Sequence, residues 1–154
     1  MNIYHGNYYK IENPKIITGK YTKDFGEGFY CTILKEQAIK WAKKFDTSVL
    51  NIYEYNENLN LKIKEFNMLS EEWLDFIVKS RKGLKPWAKY DIVEGGAAND
   101  RVIDTVEAYM NGMITVEMAL DQLSQHQPNN QFCLLNQQLI DQCLQFISVE
   151  QINL

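Results

Sequence analysis

Six short runs rich in β-branched and aromatic residues limit what this chain can fold into. They are "NIYH" (2–5), "GFYCTI" (28–33), "SVLNIYEY" (48–55), "LNLKIKEF" (59–66), "YDIVE" (90–94) and "QFCLL" (131–135). Each reads as a strand. "LNLKIKEF" alternates strictly through Leu59, Leu61, Ile63 and Glu65, which predicts a strand with one solvated face. Helical spacing fills the gaps. Residues 34 to 45 set Leu34, Ala38, Trp41, Ala42 and Phe45 on one stripe. Ser70 caps a helix that has Glu71 and Glu72 in its first turn and Trp73, Phe76 and Ile77 facing inward. Asn99 or Asp100 caps a third, with Val102, Ile103, Val106, Tyr109 and Met110 inward and Gly112 as its stop. Thr115 caps a fourth that runs through Leu123. "QPNN" reads as a turn, and residues 137 to 147 as a last helix carrying Leu139, Ile140, Cys143, Leu144 and Ile147. Strands and helices follow one another without a βαβ rhythm, which favours α+β over a doubly wound sheet.

With 154 residues, 45% hydrophobic and 23% charged, the chain suits one domain, residues 1–154, with a real core. Its net charge of −4 gives no general attraction to nucleic acid. A local basic patch stays open, because Lys and Arg are denser before residue 90. Cys31, Cys133 and Cys143 are odd in number, and "MNIYHGNYYK" lacks a signal-like pattern. Free, packed thiols in a reducing, cytoplasmic compartment are therefore expected. His5 and His126 lie far apart and neither pairs with a Cys, so no metal is expected. No apolar run approaches a membrane span.

Taken singly, the polar residues of interest have plain readings. His5 is a histidine at a strand end, Tyr30 and Trp41 are core aromatics, Gly26 and Gly28 form a hairpin, Asp100 is an N-cap, and Gln131 opens a strand. Their joint order says more. "YHG" at 4–6, "FGEGFYCT" at 25–32 and "NQFCLL" at 130–135 each lie on or beside a strand. That order resembles the ADP-ribosyltransferase superfamily, in its diphtheria-toxin and poly(ADP-ribose) polymerase branch, whose triad is His, Tyr and Glu. More closely, the chain is similar to a bacterial family of uncharacterised ADP-ribosyltransferase-like proteins. It shares "YHG", "DFGEGFYCT", "EQAIKWA", "SEEWLDFI", "YDIVEGGAAND" and "NNQF" in that order, across residues 3 to 147. Members are often encoded beside a small partner, as toxins are beside antitoxins.

The resemblance implies two small antiparallel sheets that form an NAD cleft flanked by helices. His5 would donate a hydrogen bond to the adenosine-side ribose, and the Gly6 backbone would pair with the nicotinamide amide. Tyr30 and Trp41 would clamp the pyridinium between aromatic faces, which attract a cation. Gly28 would let the entry turn approach the ligand, with Thr32 beside it. Gln131 would take the place of the catalytic Glu.

Cleaving the nicotinamide–ribose bond needs a fixed dinucleotide and stabilised positive charge on the ribose. A glutamine can hydrogen-bond a ribose hydroxyl, but it offers neither charge nor a base. Single-unit transfer therefore fits better than chain elongation, with Asp100 as candidate for the missing carboxylate. The expected function is an NAD-dependent mono-ADP-ribosyltransferase acting as a toxin, with a small antitoxin and a protein or nucleic-acid acceptor as partners. The alternative is a catalytically silent NAD- or ADP-ribose-binding module, and Gln131 divides the two. Use of the same fold on RNA ends would demand basic residues at the cleft mouth. Loop lysines 15, 20 and 23 could meet a pyrophosphate or a nucleic-acid acceptor.

Overall fold

The strand-like runs sort into two sheets in the computed structural model, which describes residues 1–17, 24–57, 60–98, 100–126 and 129–152, without the side chains of residues 100 and 101. One sheet holds β1 (Asn2–Asn7), β3 (Val49–Tyr55) and β7 (Leu144–Gln151) in the order β1–β3–β7, antiparallel throughout. The other holds β2 (Phe29–Cys31), β6 (Gln131–Leu134), β5 (Ile92–Gly95) and β4 (Ile63–Glu65), in that order. Here the expectation of two antiparallel sheets needs correcting, because β4 runs parallel to β5. The chain between them forms α2 (Glu71–Arg81), and such a crossover returns the second strand in the same direction.

Helices cover both outer faces. α1 (Lys35–Ala42) lies on the three-stranded sheet, where Ala38 packs with Leu50 and Ile52. α2, α3 (Asp100–Met110) and α4 (Val116–Leu123) bury Trp73, Phe76, Ile77, Val102, Val106 and Leu123 against Val93 and Cys133 of the four-stranded sheet. Between the sheets, Ile3, Tyr53, Phe29, Ile92, Phe132 and Leu134 meet α5 (Gln137–Cys143) through Leu139 and Ile140. The fold is thus α+β, with helices outside two small facing sheets.

Local chemistry explains the helix starts. Ser70 Oγ accepts from the Trp73 amide at 3.2 Å, and Thr115 Oγ1 from the Met118 amide at 3.2 Å. Asn99 lies outside the described residues. α1 departs from its sequence pattern: Leu34 and Phe45 are exposed, and its fully buried residues are Ala38 and Ala42. The last helix is also shorter than expected. It ends at Cys143, and Leu144 to Gln151 form β7 instead. "LQFISV" satisfies period 2 as well as period 3.6, and pairing with β3 decides between them. Ile147 is the residue skipped at the register shift opposite Ile52 and Tyr53, so it is left 51% exposed. Of "LNLKIKEF", Leu59 lies outside the described residues, and among the rest Ile63–Glu65 pair as β4.

Candidate functional site

A backbone bridge stitches the two sheets together. The Tyr4 amide donates to the Thr32 carbonyl and the Thr32 amide to the Tyr4 carbonyl, both at 2.9 Å. Tyr4 therefore directs its backbone groups away from β3. Alternate residues of a strand direct theirs to the same side, so Gly6 presents its amide and carbonyl on that edge, one pleat past the stitch. Glycine is required here for a second reason. A Cβ at Gly6 would lie 2.3 Å from the Ala38 carbonyl oxygen and 2.9 Å from the Ala42 nitrogen of α1.

His5 faces the opposite side of β1 from Gly6. Its Nδ1 is 2.6 Å from the Tyr30 carbonyl oxygen, and its ring tilts against Phe29 at 4.5 Å between centroids. A carbonyl only accepts, so Nδ1 carries the proton and Nε2 is left as the acceptor, with Asn7 Nδ2 at 3.5 Å. Burial holds the imidazole below its usual pKa, the Tyr30 contact opposing this only in part. In this tautomer Nε2 is an acceptor and not a donor.

Tyr30 projects from the other face of the four-stranded sheet and packs against the α2–α4 core. Its hydroxyl donates to the Gly26 carbonyl and accepts from the Phe25 amide at 3.2 Å. Burial, chiefly, pushes the phenol far above its ordinary pKa, so it acts as a neutral group. Gly26 has φ +101°, and a Cβ there would lie 2.2 Å from a Trp87 ring carbon. The indole beside the Tyr30 anchor is thus Trp87, which the sequence reading passed over. Trp41 is half-buried on α1, against the other sheet, and no ring contact joins it to Tyr30 among the described residues.

Two expected ligand contacts are taken up internally. Above Gly28, a Cβ would meet the Leu134 carbonyl oxygen at 2.6 Å and Cys133 Sγ at 2.7 Å. The glycine admits the close approach of β6. Thr32 is fully buried, and its hydroxyl donates to Asn130 Oδ1 at 3.2 Å and accepts from the Leu34 amide at 3.1 Å. It clips the sheets together.

Tyr30 pairs with Cys133 across β2 and β6, and Gln131, two residues along β6, leaves on the same face as Cys133 and Tyr30. Its Oε1 is buried and has no hydrogen-bond partner among the described residues. An orphaned buried acceptor costs about 1–3 kcal/mol, and a ligand donor would relieve it. The Asp100 backbone opens α3, but its side chain lies outside the described residues, as do Lys20 and Lys23. Lys15 pairs with Asp141 at 3.8 Å.

The carboxylate the structure does bring close is Glu94. Asn130 Nδ2 donates to Glu94 Oε2 at 2.7 Å, while its Oδ1 receives the Thr32 hydroxyl and the Ile33 amide at 2.9 Å. Gln37 grips the Asn130 backbone at both its amide and its carbonyl, at 2.9 and 2.5 Å. Burial, chiefly, raises the Glu94 pKa above the usual carboxylate range; Glu65 adds to the rise and the Asn130 bond opposes it. The signal for Glu94 was the polar residue inside "YDIVE". The β5–β6 register pairs Glu94 with Phe132 and Gly95 with Gln131, so Glu94 shares its face with Asn130 and leaves the sheet on the side opposite Gln131.

Fold and site together define an α+β protein with a polar junction at the meeting of two small sheets. The chain belongs to the family described as Protein of unknown function (DUF3990), whose model matches residues 1–146. Neither the curated proteins nor the solved structures gave a match. Among the described residues, no helix is long and apolar enough to cross a membrane, and no cluster of His, Cys, Asp or Glu could hold a metal ion.

Proposed function

We propose that this protein is an NAD-dependent mono-ADP-ribosyltransferase, with an ADP-ribosyltransferase-like cleft at the sheet junction. A role as the toxin of a two-gene module, held in check by a small antitoxin, is the setting that the family resemblance implies. One observation carries the reading. His5 meets the Tyr30 carbonyl across the stitch between β1 and β2, beside the Gly6 edge, and Gln131 leaves β6 on the face that carries the Tyr30 ring.

The residues present suit a nicotinamide dinucleotide. Gly6 offers a carboxamide one donor and one acceptor, as a strand partner would. Neutral His5 accepts from a ribose hydroxyl. The buried Oε1 of Gln131 accepts from another, which relieves its orphaned state. The Tyr30 ring, anchored at its hydroxyl, is a rigid wall for the nicotinamide.

The dinucleotide supplies a ribose carbon bound to a good leaving group. Its glycosidic bond breaks with the electron pair passing to nicotinamide, and an acceptor nucleophile bonds to that carbon as it loses a proton. Glu94 is the carboxylate assigned to take that proton or to face the developing positive charge, with Asn130 positioning it. A carboxylate whose pKa is raised by burial is a better proton acceptor than an ordinary one.

The test is incubation of the protein with labelled NAD and a cell lysate, alongside calorimetric titration with NAD. Label should enter macromolecules, and Glu94→Gln should reduce transfer more than it reduces NAD affinity. Tyr30→Ala should weaken NAD binding by about 0.5–2 kcal/mol. If the wild type fails to bind NAD, the reading falls. The neutral Gln131 favours one second reading, a silent binding module. Tight NAD binding without turnover, and hydrolysis appearing only in Gln131→Glu, would select it.

A further inference from the structure

We propose that three exposed rings at the end of β1 form a stacking platform for a single-stranded polynucleotide, which brings that strand to the site as its acceptor. The assignment of an acceptor rests on the transferase reading, whereas the platform itself rests on separate observations. Tyr8 touches Tyr9 at 4.6 Å and Phe45 at 5.4 Å between ring centroids. The three residues are nevertheless 54%, 47% and 38% exposed. Isolated surface aromatics are ordinary, but a contiguous group left in water marks a contact surface. This group adjoins the site directly. The Tyr8 amide donates to Asn7 Oδ1 at 2.8 Å, and Asn7 Nδ2 faces His5 Nε2.

Charge selects the occupant. Lys40, Lys43 and Lys44 are exposed in the turn that delivers Phe45, and none forms an ion pair among the described residues. Lysines at a helix C-terminus complement its dipole, but that does not explain the bare rings beside them. Flat aromatic faces with adjacent cations are what an unpaired strand needs, since bases stack on the rings and phosphates meet the lysines. A duplex keeps its base faces inside. An acidic polypeptide would use the lysines and leave the rings without flat partners. Because the whole chain is net negative at −4, attraction must be local, and the strand bound must be short.

The experiment is fluorescence anisotropy with a short labelled oligouridine, the matching oligothymidine and a duplex, over a salt series. The same proteins are titrated with NAD in parallel. Both single strands should bind better than the duplex, and a preference for oligouridine would identify RNA over DNA. Tyr8→Ala and Phe45→Ala should each weaken binding about tenfold or more and leave NAD affinity unchanged. The Lys43→Ala, Lys44→Ala double variant should flatten the salt slope by about 1.4, from two phosphate contacts. Strand binding that ignores the ring variants, or no strand binding at all, overturns the platform even where NAD binds. Absence of NAD binding with ring-dependent strand binding overturns the transferase reading and leaves the platform standing.

Discussion

The outer face of the four-stranded sheet and the junction between the sheets are built from the same strands to opposite ends. On the outer face, Trp73 is fully buried and its indole N–H reaches the Gly96 carbonyl at 2.8 Å, while Phe76, Ile77, Val106 and Leu123 close around it. At the junction, a few residues away, His5, Thr32, Glu94 and Asn130 place polar atoms where apolar packing would be more stable. Most of those atoms are satisfied through Asn130, whereas Gln131 Oε1, at the edge of the outer face, has no partner among the described residues. The difference teaches where to look for chemistry. A region that gives up stability to hold polar groups in fixed positions has another use for them.

Four experiments probe that contrast, in falling order of expected effect. Trp73→Ala removes the largest fully buried side chain of the outer face and should cost about 3–5 kcal/mol, read by urea unfolding. A cost near zero would mean that the face is not the packed side. Asn130→Ala leaves the Glu94 carboxylate and the Thr32 hydroxyl without their shared partner, and should cost about 1–3 kcal/mol. It should also abolish transfer while the outer face stays folded, as monitored by near-UV circular dichroism.

Gln131→Leu sharpens the comparison most, because stability and activity should part. Removing an unsatisfied buried acceptor should leave stability unchanged or raise it by about 1 kcal/mol, while NAD affinity falls. Equal loss of both would return Gln131 to the core.

The smallest effect is on pH dependence, where two groups at the junction oppose each other. His5 has a lowered folded-state pKa, so below its ordinary value of 6.5 the unfolded chain takes up the proton first. Stability therefore declines as pH falls through that region. Glu94 has a raised folded-state pKa, so above its ordinary value of 4.5 the unfolded chain loses the proton first. Its contribution is present at low pH and is lost as pH rises through the folded value. Urea midpoints measured across pH should show a flatter acid limb in His5→Gln. Glu94→Gln should lose the opposing slope and be the more stable variant near neutrality. Unchanged slopes in both would show that neither group is buried in solution as it is here.

Several elements could be read directly from local patterns. Ser70 and Thr115 cap the helices they were expected to cap, Gly112 ends its helix at φ +74°, and the alternation in "SVLNIYEY" and the apolar run in "QFCLL" mark β3 and β6. Such features depend on residues within a few positions of each other, so the sequence suffices. "CLQFISV" did not yield to the same treatment. It fits a helix and a strand equally, and the choice lies with Tyr53 and its neighbours about ninety residues earlier in the chain.

The site divides along the same line. The sequence by itself determined which residue types the chain holds and their order: a His-Gly, a Gly-x-Gly ahead of a Tyr, and a polar pair opening a late strand. Only the tertiary structure decided what each does. It turned Gly28 and Thr32 inward to serve packing, gave His5 its acceptor tautomer through a carbonyl on another strand, set the Trp87 ring against Gly26, and tied Glu94 to Asn130. Those outcomes depend on contacts between segments distant in the chain. No local periodicity encodes them, because a hydrogen bond across two strands is set by register, and register is settled only when the strands pair.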